Sequence, residues 1–195
     1  PDKECVPTGA VPGPRLFCPA GQITVALAVI TADHCHVADT PGIAQNQTMP
    51  IRIASSLDIE TWAKLRAQLW SEVTYEQHLD EIAEMLTKPP GQCITFLEEV
   101  DGNIRAFAEA ALRHDYVNGC ETSPVAYLEG IFVRPENRGS GIGRNLLKSV
   151  QSWAQEQGCS ELASDADLAN LASQAFHAAL GFQETERVVY FRKRL

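Results

Sequence analysis

The sequence lacks the features that define several classes of protein. None of its six cysteines forms a C-x-x-C pair, and no histidine–cysteine cluster has the spacing of a structural zinc site. His34, Cys35 and His36 are adjacent, but no further ligand accompanies them, so we expect no metal. No apolar run reaches the roughly 18 residues that a membrane-spanning helix requires. Repeats and low-complexity tracts are absent too.

Basic residues are also fewer than acidic residues. The 195 residues include 16 Lys and Arg against 25 Asp and Glu, a net charge of −9. Such a balance argues against nucleic acid as a partner and favours a cationic one. With 45% hydrophobic and 21% charged residues, we expect one globular domain with its own core and no membrane partner. We interpret the cysteines as free thiols of a cytoplasmic protein.

Residues 1–48 differ in character from the rest. Prolines and glycines interrupt any regular element there, whereas a compact pattern begins directly after Met49. We expect residues 1–48 to be a disordered extension, either a translated leader or a fusion product, and residues 49–195 to form the domain. Two alternatives stay open: Ile23–Ile30 is the apolar core of a secretory signal, or the segment is an additional strand or arm.

Local patterns in the remainder predict the element order β-α-α-β-β-β-α-β-α-β. We expect Asp58 to cap the first helix, and Asp167 to be a better placed cap for the last helix than Asp165. The predicted strands are residues 51–54, 93–100, 104–112, 125–133, 161–164 and 183–191, and the predicted helices are residues 58–70, 74–86, from 142 onward and 168–180. This mixture predicts an α+β fold.

A glycine-rich loop separates the strand 125–133 from the helix that follows it. Three glycines in the five residues Gly139–Gly143 let the backbone approach a ligand, and the amides at a helix start attract an anion. Arg138 and Arg144 add positive charge. No Gly-Lys-Ser/Thr follows, which excludes a Walker loop, and the spacing fits a dinucleotide fingerprint poorly. A flexible turn is the alternative, but the pattern predicts a phosphate cradle.

The combination of R-x-x-G-x-G after a strand ending in V-x-P with a later Leu180-Gly181-Phe182 resembles the GNAT family of acyl-CoA-dependent N-acetyltransferases. The resemblance implies the GNAT fold: a mostly antiparallel sheet of six to seven strands, splayed at the cofactor site and flanked by about four helices. It also implies that acetyl-CoA is the co-substrate, with its pyrophosphate on the loop amides and its pantetheine arm along the strand. The implied contacts are Ile131, Phe132, Val133, Gly139, Ser140, Gly141, Ile142, Gly143 and Arg144.

Residues 51–195 have a narrower resemblance, to the small monodomain aminoglycoside 6′-N-acetyltransferases. It is carried by Arg113-His114-Asp115-Tyr116-Val117-Asn118-Gly119-Cys120, Leu128–Val133, Ala163-Ser164-Asp165 and Gly181–Val188. The resemblance implies transfer of acetyl to the 6′-amine of these antibiotics, which confers resistance, and a homodimer. The implied substrate-site residues are Trp70, Tyr116, Glu129, Asp165 and Glu186, with Asn170 contacting acetyl-CoA. Carboxylates and an aromatic wall suit a polycation.

Asp165 is our first candidate for the general base that deprotonates the acceptor amine, directly or through a water, and Glu129 is the second. We place Glu129 on the strand face of Ile131 and Val133. We also expect Glu129-Gly130 to break the strand pairing locally, so that an amide polarises the thioester carbonyl. The alternatives are a solvated charge for Glu129, an N-cap for Asp165, and packing roles for Tyr116 and Trp70.

Two positions depart from the family patterns. Val73 replaces a histidine that contacts substrate in some members, and His177 replaces the tyrosine acid of many GNAT enzymes. The thiolate of coenzyme A therefore takes its proton from His177 or from water. Cys120 and Cys159 lack a paired histidine, which argues against a cysteine acyl-enzyme. The alternative functions are a GNAT enzyme for a polyamine or a protein N-terminus, and a non-catalytic acetyl-CoA-binding module.

Overall fold

The computed structural model describes residues 51–194. The strands are β1 (Ile51–Ile53), β2 (Cys93–Val100), β3 (Asn103–Arg113), β4 (Val125–Val133) and β5 (Leu162–Ser164). The helices are α1 (Ile59–Leu69), α2 (Tyr75–Thr87), α3 (Ile142–Glu156) and α4 (Leu171–Ala179). The predictions for residues 1–48, including the signal, the strand and the His34–His36 group, lie outside the described residues.

The five strands form one mixed sheet in the order β1-β2-β3-β4-β5. The first three pairs are antiparallel, and β5 is parallel to β4. Every residue of β4 is buried, since β3 pairs along its length and helices cover both of its faces. This arrangement confirms the predicted α+β class and GNAT fold.

Alternating side chains of β3 divide the core into two layers. Ala106, Ala108 and Ala110 pack under α3, and Phe107 and Ala111 pack under α1 and α2. The small alanines let α3 approach the sheet closely. The predicted stripe of α3 is fully buried; its members are Ile142, Leu146, Leu147, Val150, Trp153 and Ala154.

The predicted C-terminal strand is the main correction to the fold. After α4, residues 182–194 form no strand, and the sheet of the described residues has five strands rather than six or seven. Val189 and Phe191 leave 73% and 93% of their surface exposed. The sequence here is β-prone, but a strand forms only against a partner strand, and none of the strands within residues 51–194 pairs with it.

Both helix-cap predictions also need correction. Ser55 caps a short 3₁₀ turn ahead of α1 in a capping box with Asp58, whose carboxylate pairs with Arg52 at 2.7 and 2.8 Å. The last helix begins three residues later than predicted, at Leu171, and Asn170 is its cap. A turn held by the Asp167 carboxylate occupies the residues between, since this oxygen accepts the Ala169 amide at 2.7 Å. A side chain that bonds its own turn competes with helix formation.

Candidate active site

Strands β4 and β5 diverge part-way along β4, at the β5 edge of the described sheet. Their parallel pairing runs from Ala126 with Leu162 to Leu128 with Ser164, where β5 ends. Strand β4 continues to Val133 with only β3 beside it among the described strands. The backbone of Glu129–Val133 therefore has one edge that no described strand covers. This divergence confirms the predicted splay of the sheet.

A β-bulge lies at the point of divergence. Glu109 pairs with Gly130 and Ala110 pairs with Leu128, so Glu129 is the extra residue of β4. Glycine is required next to it, because a Cβ on Gly130 would lie 2.5 Å from Cζ2 of Trp70. The predicted local break in pairing at Glu129-Gly130 is confirmed.

The bulge changes which side chains share a face of the sheet. Ile131 and Val133 pack in the layer under α3. Glu129 instead contacts Arg113, which follows Ala111 on the face toward α1. The prediction that Glu129 shares a face with Ile131 and Val133 is therefore wrong, because one extra residue shifts the two-residue alternation by one position.

Glu129 is buried and tied to an arginine. Only 5% of its surface is exposed, and Nη2 of Arg113 donates to its two carboxylate oxygens at 2.9 and 3.0 Å. Burial raises the pKa of Glu129 above its ordinary value, and the nearby Arg113 charge opposes that rise. The alternative of a solvated strand-edge charge at this position is wrong, because bulk water is excluded from it.

Asp165 follows β5 directly and is half-buried. The Tyr127 hydroxyl donates to its Oδ1 at 2.7 Å, and the Arg113 guanidinium carbon lies 3.4 Å from the centroid of the Tyr127 ring. Burial raises the pKa of Tyr127, so this hydroxyl keeps its proton as a donor. Through Arg113 and Tyr127, the structure links Glu129 to Asp165. Sequence reasoning missed both linking residues.

Trp70 comes directly after α1 and is 3% exposed. Its ring packs on Gly130, and the Arg66 guanidinium lies 4.7 Å from the ring centroid. Arg66 is anchored in turn by Glu109, whose carboxylate also accepts the Trp62 indole at 2.6 Å. This buried network holds the Trp70 ring against the bulge at Glu129.

Tyr116 and Glu186 lie on irregular segments. Tyr116 is 65% exposed in the loop between β3 and β4, and Glu186 is exposed in the segment after α4. The two segments touch, since a Cβ on Gly119 would lie 2.2 Å from Oγ1 of Thr185. The structure therefore brings the segment of Glu186 against the loop of Tyr116.

The glycine loop forms an open cradle at the start of α3. Gly139 and Gly141 have φ of +77° and +83°, and a Cβ on either would meet nothing within 4 Å. Helix α3 begins at Ile142, so its first amides have no acceptor within the helix. The Arg134 side chain, just after β4, has a buried Nε without a hydrogen-bond partner. These features fit an anion bound across the loop.

Two further residues lie near the divergence. Asn170 accepts the Ser173 amide at 3.0 Å as the cap of α4. His177 lies 2.8 Å from the Ser173 carbonyl through Nδ1 and 3.1 Å from the Ser164 hydroxyl through Nε2. A carbonyl only accepts, so Nδ1 carries a proton. Burial lowers the pKa of His177, which favours the neutral ring.

Metal and cysteine chemistry find no support within residues 51–194. No group of three or more His, Cys, Asp or Glu side chains in that range could hold a metal ion. Cys93, Cys120 and Cys159 are free, and burial raises the pKa of each thiol, which makes each a weaker nucleophile at neutral pH. None of the described helices is long and apolar enough to cross a membrane.

A diverging strand pair, an anion cradle on the adjacent helix and carboxylates beside the divergence are the features expected of an acyl-CoA-dependent acetyltransferase. The chain belongs to the acetyltransferase (GNAT) family, whose model matches residues 59–182.

The chain is similar to several known proteins. It is 52% identical over 138 residues to an aminoglycoside N(6′)-acetyltransferase type 1 of Serratia marcescens, covering 71% of this chain and 94% of that protein. AAC(6′)-Iy, solved in complex with the bisubstrate analogue CoA-S-monomethyl-acetylneamine, is 44% identical with a TM-score of 0.71 over 75% of this chain and 98% of its own. AAC(6′)-Ih from Acinetobacter baumannii is 45% identical with a TM-score of 0.70, again over 75% and 98%.

Proposed function

We propose that this chain is an aminoglycoside 6′-N-acetyltransferase, which transfers the acetyl group of acetyl-CoA to the 6′-amine and thereby confers resistance. The relatives named above carry this activity in their names, and one was solved with an aminoglycoside-derived bisubstrate analogue. The observation that carries the proposal is the pair of carboxylates, Glu129 and Asp165, at the divergence of β4 and β5. Negative charge at that point suits a polycationic acceptor.

Acetyl-CoA is the co-substrate, and it supplies the activated acyl group as a thioester. The open cradle at Gly139 and Gly141 and the unpaired amides at the start of α3 support binding of its diphosphate. The uncovered edge of β4 supports placement of the pantetheine arm along Ile131–Val133. Asn170, which caps α4, also contacts acetyl-CoA in this proposal. Binding both substrates together supplies the orientation for a direct transfer.

Asp165 acts as the general base that accepts a proton from the acceptor amine, directly or through a water. It is the more accessible of the two carboxylates, and Tyr127 fixes the direction of one of its oxygens. Glu129 acts mainly by attracting positive charge rather than by accepting a proton, because both of its oxygens already contact a cation, Arg113. Trp70, Tyr116 and Glu186 complete the acceptor site.

The leaving thiolate needs a proton, and His177 and water are the two candidate donors. The neutral ring of His177 points Nε2 at the Ser164 hydroxyl beside the divergence. Since Nδ1 carries the proton and faces the Ser173 carbonyl, His177 can donate toward Ser164 only after Nε2 has gained a proton. Water is therefore the simpler donor in this geometry.

We further propose a cytoplasmic homodimer formed by residues 49–195, with residues 1–48 as an extension that activity does not need. Free thiols at the described cysteines favour a reducing compartment. A second copy would cover the exposed apolar residues 188–191. It would also fill a cleft of about 550 Å³ that opens between α3 and β5, the outermost strand of the described sheet.

A coenzyme A thiol-release assay tests the proposed reaction. We expect release with aminoglycosides that carry a 6′-amine, and none with polyamines or peptides at equal concentration. Turnover of a polyamine or a peptide in place of the aminoglycosides would assign the enzyme to a different acceptor. Tight acetyl-CoA binding without thiol release for any amine would make the chain a non-catalytic binding module.

A further inference from the structure

Arg113 lies where a cationic acceptor is expected to bind. Its Nη2 contacts both oxygens of Glu129, and its guanidinium carbon lies 3.4 Å from the centroid of the Tyr127 ring. A carboxylate combined with an aromatic face is the usual environment for a bound ammonium group. The arginine thus makes the contacts that an ammonium group of the substrate would make.

Arg113 is also placed so that it can move. It is the last residue of β3, at the start of the loop that carries Tyr116, and 23% of its side chain is exposed. By contrast, Glu129 has 5% exposure and lies in the middle of the fully buried β4. When another cation takes the place of Arg113 on this carboxylate, Arg113 therefore moves and Glu129 stays in place.

We propose that Arg113 is a resident counter-cation of the acceptor pocket, which occupies Glu129 until an ammonium group of the substrate displaces it. This inference rests on the proposed function and makes Arg113 a specificity-determining residue. Replacing one cation by another on Glu129 gives little net electrostatic gain. An acceptor with one positive charge therefore displaces Arg113 poorly, whereas a polycation gains further contacts at Asp165 and Glu186.

Removal of Arg113 changes both the availability and the titration of Glu129. The titratable and charged groups that face this carboxylate are Arg113, Asp165, Glu109 and Tyr127. The two carboxylates disfavour its ionised form, and Arg113 favours it. Without the arginine, the pKa of Glu129 is expected to rise further, and the carboxylate is free for substrate only above that pKa.

The test compares steady-state kinetics of the full chain with those of Arg113→Gln and Arg113→Lys, using a kanamycin-type aminoglycoside at pH 6 and pH 8. We expect Arg113→Gln to lower KM at pH 8 by about threefold or more, and that gain to shrink as the pH falls and Glu129 takes up a proton. Arg113→Lys keeps a positive charge but loses the planar guanidinium that stacks on Tyr127, so its KM and pH profile should lie between those of the parent chain and of Arg113→Gln.

Arg52→Gln is the matched control. Arg52 also bridges two carboxylates, Asp58 and Glu99, but at the β1 edge of the sheet. We expect it to leave KM unchanged at both pH values. Circular dichroism of each variant checks that the fold is retained.

An unchanged or raised KM for Arg113→Gln at pH 8 would overturn the proposal, because the arginine would then be inert or would assist binding. The carboxyl ¹³C signal of Glu129 gives a readout that needs no acceptor. Its titration midpoint should move to higher pH in Arg113→Gln, and a fixed midpoint contradicts the direct pairing. If the parent chain acetylates no aminoglycoside, both the proposed acceptor and the displacement of Arg113 are rejected. If the parent chain is active and Arg113→Gln has an unchanged KM, only the displacement of Arg113 is rejected.

Discussion

Two carboxylates flank the divergence of β4 and β5, and their surroundings differ. Glu129 is buried, carries a raised pKa and is paired with Arg113. Asp165 is half-buried at the end of β5 and receives one hydrogen bond from Tyr127. A group that must accept a proton needs an accessible oxygen, which favours Asp165. A buried, oriented charge is better suited to hold a cation, which favours Glu129.

This difference predicts a split in the kinetic effects of two substitutions. Asp165→Asn should lower kcat roughly tenfold or more with a small change in KM, because it removes the base but keeps the shape. Glu129→Gln should act mainly by raising KM for a kanamycin-type aminoglycoside. Steady-state kinetics at pH 8 measure both.

The control for both variants is Glu84→Gln, which removes one negative charge from an exposed residue of α2 that pairs with Lys88 just after the helix. We expect parental kinetics from it. If Asp165→Asn kept the parental kcat, Asp165 would not be the base.

Arg113 and Tyr127 could not be assigned to the site from the sequence. In the sequence, Arg113 stands out only as the first residue of the loop motif that carries the family resemblance. The two residues meet diagonally across β3 and β4, since Ala111 pairs with Tyr127 and Arg113 lies two residues farther along. That contact depends on the register of the strands, which the bulge at Glu129 shifts. The one signal in the sequence that pointed to a site role was a charged residue, Arg113, at the end of a strand predicted to be buried.

At the scale of elements, buried strands were the most predictable part of the fold. Residues 93–100 and 125–133 have the predicted bounds, because a mostly apolar, β-prone run between turns leaves few alternatives. The start of α4 was missed, since Asp167 and Asn170 are both good caps and only tertiary context selects Asn170. The bulge itself was predicted from Glu129-Gly130, but its reversal of side-chain faces was not.

The glycine loop ahead of α3 yields a prediction for cofactor binding. Gly141→Ala should weaken acetyl-CoA binding roughly tenfold, because a Cβ would project into the cradle and the residue has φ of +83°. The same change should destabilise the fold by about 1 kcal/mol, the usual penalty for a left-handed alanine. Isothermal titration calorimetry and thermal unfolding measure the two effects.

Gly102→Ala is the control for that variant. Gly102 has φ of +77° in the turn between β2 and β3, and its Cβ would likewise meet nothing within 4 Å. It should lose similar stability and bind acetyl-CoA as the parent does. Equal affinities for the two variants would show that the loop does not hold the cofactor.

At the scale of the whole molecule, the exposed C-terminal segment is the feature that a single chain leaves unexplained. Residues 183–191 have the composition of a strand, yet the sequence alone cannot say whether the partner strand belongs to the same chain. Phe191 is 93% exposed, which is unusual for a large aromatic side chain in a monomer. A homodimer that buries this segment accounts for both observations.

The homodimer predicts a difference between two matched substitutions. Phe191→Asp should shift the chain toward monomer in sedimentation velocity, because a buried carboxylate destabilises an apolar interface. Leu57→Asp places the same charge on a residue that is 94% exposed near β1, and it should leave the association state unchanged. A parent chain that sediments as a monomer at micromolar concentration contradicts the homodimer.

The central claim is that the diverging strands present an acetyl thioester to one amine of a polycation held by carboxylates. The most direct test is thiol release with two aminoglycosides that differ only in a 6′-amine or a 6′-hydroxyl. The account predicts rapid release of coenzyme A with the amine, with the acetyl group found on the 6′-nitrogen by NMR of the product, and release at background rate with the hydroxyl. Equal release from both compounds, or an acetyl group on another nitrogen, would contradict it.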